Sequence, residues 1–162
     1  MQLLKLQPGQ ALYFSPGNLH AYLSGDWLEC MACSDNTVRG GLTPKFVDRE
    51  NLLAICDYQG RGEPYLQPDG DDANLRLFAP KGLQEFVLEE LKSGFEEPAH
   101  AVDSAVELIF CLDGATRLSA RGIVSDLSSG EAVLIPAALS AYSLRVVSGQ
   151  AFRVGCPVGR GL

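Results

Sequence analysis

Between His20 and Lys45 the sequence gathers the side-chain types that could do chemistry: His20, Tyr22, Glu29, Asp35, Arg39 and Lys45. An imidazole can ligate a metal. A carboxylate can move a proton. Arginine or lysine supplies fixed positive charge, and arginine can grip a phosphate with two parallel hydrogen bonds. Each residue also has a plain structural reading. Asp35 could cap the turn before Arg39, Arg39 and Lys45 could be solvated loop charges, Glu29 could pair with one of them, and Tyr22 could be core. Residue types alone leave both readings open. Cys30 and Cys33 share a C-x-x-C spacing. A structural zinc site usually takes two such pairs, and here there is no second, so they read as two strand thiols. His100, in the run Glu-Glu-Pro-Ala-His-Ala-Val-Asp, has no ligand pattern and reads as a surface or loop residue.

The elements that must position these residues are mostly short strands. Gln10 to Phe14, His20 to Leu23 and Trp27 to Cys33 are apolar or alternating runs bounded by turn residues. One helix is expected from Asp48 to about Tyr58, with Asp48 as cap and Leu52, Ile55 and Cys56 on one face. Residues 59–74 hold three Gly and two Pro among several acids and read as a connector. Strand-like runs follow: Leu75 to Ala79, Glu85 to Leu91, Ala105 to Leu112, Thr116 to Ala120, Glu131 to Ile135, Ala141 to Val147 and Ala151 to Gly155. Many short strands between Gly and Pro turns suggest an antiparallel barrel or jelly roll. A faint repeat supports two copies of one motif. Gly9-Gln10-Ala11-Leu12, Pro16 and His20-Ala21-Tyr22 match Gly130-Glu131-Ala132-Val133, Pro136 and Ser140-Ala141-Tyr142. Ser stands where the first copy has His, so a metal ligand in the first would be missing from the second.

Gly, strand, Pro-Gly turn and then His resembles the second half of the metal motif of cupin barrels, with Pro16 one residue nearer to His20 than the general pattern has it. The longer string is more specific. His20 to Asp26, Glu29 to Arg39 and Gly41 to Phe46 closely resemble type I phosphomannose isomerase, in its eukaryotic-like wording. The resemblance implies an all-β, cupin/jelly-roll fold. Residues 1–58 would be the C-terminal half of the catalytic cupin unit, 59–74 a linker, and 75–162 a C-terminal cupin-like domain without metal, with one short helix between the barrels. It implies a zinc enzyme, an intramolecular oxidoreductase that interconverts mannose 6-phosphate and fructose 6-phosphate and so feeds activated mannose. His20 would be the last zinc ligand, after a Gln, a second His and a Glu that lie upstream in the family. Arg39 would be the catalytic arginine and Asp35 an acid in proton transfer. Tyr22, Glu29 and Lys45 would line the sugar-phosphate pocket. The residue types suit that reaction, which needs a base, a proton carrier for the oxygens and a stabiliser of negative charge. Which group is the base stays open.

Composition narrows the rest. The chain has 162 residues, 46% of them apolar and 20% charged, enough for a packed core. A net charge of −7 argues against nucleic acid or an anionic membrane as partner, but not against a sugar phosphate, which needs only one or two local cations. Five cysteines, odd in number and mostly in apolar runs, read as buried thiols in a reducing compartment, with the cytosol as default. Three readings compete: part of an isomerase lacking the upstream ligands, which is preferred; a stand-alone, non-catalytic cupin that binds sugar phosphate; or a module that assembles with an N-terminal half, or with itself, to complete a barrel.

Overall fold

The computed structural model describes residues 2–34, 37–41, 43–59, 64–70, 72–102 and 106–156. The chain divides into two compact units, Met1–Leu66 and Gln67–Leu162.

In the first unit, β1 (Ala11–Leu12) is followed by α1 (Arg49–Ile55) and β2 (Tyr65–Leu66). Asp48 caps α1 as its sequence predicts, accepting the Asn51 backbone N–H at 3.1 Å and its side-chain amide at 2.7 Å. β1 pairs antiparallel with β2, so part of the stretch expected as connector carries a ladder of this unit. Two expected strands, His20 to Leu23 and Trp27 to Cys33, are not strands among the described residues. Alternation makes a segment fit for a sheet, but the ladder bonds must come from a neighbour. None is described beside these two. The expected inner face of α1 is not buried either, and no described residue of this unit is buried.

The second unit is built around two long strands. β3 (Leu75–Phe78), β4 (Val87–Lys92) and β5 (Glu96–Ala101) lead to β6 (Glu107–Ala120). β7 (Ile123–Ser128), β8 (Ala132–Ile135) and β9 (Ala141–Gly155) follow. β6 and β9 pair with each other over nearly their whole length. The first half of β9 also pairs with β5 and its second half with β4. The first half of β6 pairs with β8 and its second half with β7. Two bent strands thus serve as spine for two groups of shorter ones.

Asp113-Gly114 and Ser148-Gly149 read in the sequence as breaks that split β6 and β9 into four strands, but in the fold they bend continuous ones. Gly114 and Gly149 face each other in register, with φ of +75° and +72°. A Cβ on either would collide with the partner strand's backbone. Glycine inside a strand marks such a bulge and close approach. The core lies on the enclosed face, with Leu91, Ile109, Cys111, Leu144, Val146 and Ala151 all at or near zero exposure.

Candidate active site

His20 is exposed, yet its ring is held on several sides. Its Nδ1 lies 2.8 Å from the Asn18 carbonyl oxygen. A carbonyl only accepts, so Nδ1 carries the hydrogen and the neutral ring keeps its lone pair on Nε2. The Phe14 ring stacks on the imidazole at 4.2 Å and 4°. Tyr22 meets it edge-on at 5.9 Å. Tyr22 in turn stacks on Trp27 at 4.4 Å and donates its hydroxyl to Glu29 Oε1 at 3.1 Å. Partial burial and that bond push the Tyr22 phenol above its ordinary value.

The local sequence explains this placement. Asn18 N–H donates to the Ser15 carbonyl at 3.2 Å and closes a tight turn around Gly17, whose φ is +86°. The Gly17 carbonyl accepts Asp57 N–H at 3.0 Å, which ties the turn to the end of α1. A Cβ on Gly17 would come within 2.7 Å of the Ile55 carbonyl. Gly40 lies against the Leu19 side chain with no room for a Cβ unless Leu19 swings away. The residue after Arg39 therefore packs on the residue before His20.

Of the residues the sequence singles out, the structure joins His20, Tyr22 and Glu29 in one run of contacts. Arg39 and Lys45 are exposed, and neither side chain pairs with a carboxylate among the described residues. The Lys45 backbone N–H donates to Thr43 Oγ1 at 3.2 Å. Asp35 lies outside the described residues. No group of three or more His, Cys, Asp or Glu among the described residues could hold a metal ion by itself. The Nε2 of His20 is left available as a donor. Cys30 and Cys33 are free thiols, but neither lies on a strand. Of the five cysteines only Cys111 is buried, because the run around Cys30 and Cys33 has no described neighbour to cover it. Partial burial raises the Cys30 thiol.

Sequence reasoning missed a second polar cluster, inside the second unit. His100 is neither a loop nor a surface residue. It sits in β5 with a side chain only 15% exposed, its Nδ1 bonded to Glu97 at 3.1 Å and its Nε2 to Glu107 at 2.9 Å. Tyr142 donates to Glu107 at 2.7 Å and meets the His100 ring edge-on. Arg153, nearly buried, pairs with Glu89 and reaches Glu97 at 2.6 Å. The charges alternate along the chain of contacts Glu89, Arg153, Glu97, His100, Glu107. Bonds to Glu107 and Glu97 push His100 up to about 9. The bond from His100, helped by Arg153, holds Glu97 down at about 2. Glu89, Glu97, His100 and Arg153 also line a cavity of about 320 Å³ with Leu75, Leu77, Phe95 and Glu96. The only hint in the sequence is a charge at an inward position of a strand, as at Arg153 between Ala151 and Gly155.

No protein-family model matches the chain. Relatives and solved structures do. A probable mannose-6-phosphate isomerase of Caenorhabditis elegans is 36% identical, over 100% of this chain and 40% of its own length. The human mannose-6-phosphate isomerase is 47% identical over 52% of this chain and 18% of its own length. Mannose 6-phosphate isomerase from Salmonella typhimurium, solved bound to its substrate and to zinc, superposes with a TM-score of 0.63 at 26% identity. That alignment covers 78% of this chain and 32% of the other.

The chain belongs with the C-terminal part of the mannose-6-phosphate isomerases. It spans about 40% of the worm relative's length. The all-β, cupin-type fold agrees with that placement. The zinc and the bound substrate are those of the Salmonella enzyme. No helix among the described residues is long and apolar enough to cross a membrane.

Proposed function

We propose that this chain is the C-terminal portion of a zinc-dependent mannose-6-phosphate isomerase and carries part of its active site. The observation that carries the reading is His20. Its Nδ1–H is committed to the Asn18 carbonyl at 2.8 Å, which leaves Nε2 as a ligand of the kind metal-binding histidines present. His20 would hold the zinc together with ligands from the upstream portion, and the ion would polarise the substrate carbonyl. Arg39 supplies a fixed positive charge where negative charge develops on the sugar oxygens. Asp35 carries protons between those oxygens. Lys45 meets the phosphate as a point charge. Tyr22, oriented by Glu29 and Trp27, presents its hydroxyl to the sugar. The substrates are mannose 6-phosphate and fructose 6-phosphate, and the site of action is the cytoplasm.

A partner-assembly reading is compatible with this one and has its own support. Leu23, Trp27, Met31 and Phe46 are all more than half exposed, with Phe46 at 84%. These side chains are open to cover by a partner, and the segment equivalent to the relatives' upstream portion is the occupant we propose. The domain limits we propose are 1–58, 59–74 and 75–162.

The test is Arg39→Ala in the chain assembled with that upstream portion. The turnover rate should fall on the order of 10²-fold while zinc content holds. An unchanged rate would remove Arg39 from the reaction. In the same assembly, His20→Ala should lose zinc, and full zinc content would end the metal role of His20.

A further inference from the structure

We infer that Phe14 is a positioning residue for His20, fixing the ring so that Nδ1–H stays on Asn18 and Nε2 keeps the lone pair. The inference rests on the metal-ligand reading of His20 given above.

An exposed imidazole is free to turn about its terminal side-chain torsion, which has broad minima. Half a turn would carry Nδ1 away from the Asn18 carbonyl and end the bond that selects the tautomer. Phe14 lies flat on the ring, 4.2 Å away and 4° from parallel, so turning either ring collides with the other. Tyr22, at 73° to the imidazole, bounds it edge-on.

Both holding groups are themselves anchored. Phe14 follows β1, and the Tyr13 N–H beside it donates to the Pro64 carbonyl at 2.9 Å. Asn18 is tied to Ser15 through its N–H at 3.2 Å and its side-chain amide at 2.7 Å. A metal-ligating histidine depends on a partner that fixes its tautomer and plane, and loss of such a partner typically costs 10- to 100-fold in metal affinity. The carbonyl of Asn18 is that partner, and it cannot be removed by changing a side chain. Phe14 is the part of the device that mutation can reach.

The chain contains two histidines, which makes the experiment clean. Nitrogen-15 labelling of histidine gives signals from His20 and His100 alone. His100, bonded through both nitrogens inside the second unit, reports whether that unit is intact. In a second, uniformly labelled sample, backbone amides of Arg49–Ile55 report on the first. Spectra are taken where the His20 ring is neutral, on the parent chain and on Phe14→Leu and Phe14→Tyr, with and without excess zinc.

In the parent chain His20 should carry its proton on Nδ1. Phe14→Leu should weaken that preference about 2- to 10-fold, the worth of an aromatic pair, and weaken the zinc response at Nε2 about 10-fold. Phe14→Tyr keeps the ring and should keep both. The inference is overturned if Phe14→Leu leaves the tautomer unchanged, or if Phe14→Tyr loses it with the Arg49–Ile55 amides intact. A parent chain whose Nε2 ignores zinc, while Phe14 still controls the tautomer, counts against the metal reading and supports the positioning one.

Discussion

The two units use one sequence motif and do different things with it. Gln7–Gln10 and Ser128–Glu131 are the same turn. The closing N–H bonds are 3.1 and 3.0 Å, the third residue is glycine with φ of +79° or +82°, and the last side chain accepts the first N–H at 2.7 Å in both. Each turn starts a strand, then a second turn, then a tyrosine whose hydroxyl bonds a glutamate. In the second unit that tyrosine, Tyr142, is buried against a full barrel core. In the first, Tyr22 is 46% exposed and nothing around it is buried. Where the motif has a complete set of strands, its polar groups become internal braces. In the first unit the described residues form only one short ladder, the position matching Ser140 carries His20, and His20, Arg39 and Lys45 are open to solvent. The second unit pairs its buried charges, and the first leaves its candidate site residues exposed.

That contrast can be tested by breaking each side. The largest effect should come from Arg153→Met. It takes the Arg153 cation from Glu89, which is buried, while Glu97 is partly exposed and keeps His100. Loss of one partner of a buried pair costs about 3–5 kcal/mol. Denaturant unfolding followed by a probe in the second unit would measure it, and a loss under about 1 kcal/mol would class the pair with exposed ones. Next comes Leu144→Ala, in the most buried part of the core. It should cost about 2–5 kcal/mol, while Leu23→Ser, at a position 75% exposed, should stay within about 0.5 kcal/mol. Equal costs at Leu144 and Leu23 would mean that the first unit has a core of its own.

The smallest effect is a pH slope in the second unit. His100 is raised from 6.5 to about 9, so its contribution is full below pH 6.5 and is lost as pH rises through 9. Glu97 is lowered from 4.5 to about 2, so its contribution is full above pH 4.5 and is lost as pH falls through 2. Glu107, Glu97, Arg153 and Tyr142 are the groups facing the imidazole. Stability should therefore be flat between about pH 4.5 and 6.5 and decline toward pH 9. His100→Gln should flatten the alkaline decline. An alkaline limb that persists in His100→Gln would assign it to another group.

Much of this was legible in the sequence, and the rest was hidden for identifiable reasons. Asp48 before Leu52 gave the helix and its cap, because capping is local chemistry. β3, β4 and β8 show as apolar runs. β5 was missed because Glu96–Ala101 contains a proline and three titratable residues and alternates with no apolar stripe. β7 was missed because most of Ile123–Ser128 is exposed on both faces. The His100 cluster was invisible because its partners are distant in sequence, with Tyr142 and Arg153 on β9 and Glu89 on β4. Those strands are brought together only by the fold. The site around His20 was read from a continuous string of residues, and the stacking of Phe14 on that histidine was not.

The central proposal is that His20 and Arg39 act in an isomerase site shared with the portion that lies upstream in the relatives. Isomerisation of mannose 6-phosphate tests it directly, measured with zinc on the 162-residue chain alone and on the chain assembled with the upstream portion its relatives carry. The account predicts no turnover by the chain alone and zinc-dependent turnover by the assembly. A folded assembly that binds zinc and leaves mannose 6-phosphate unchanged would contradict it.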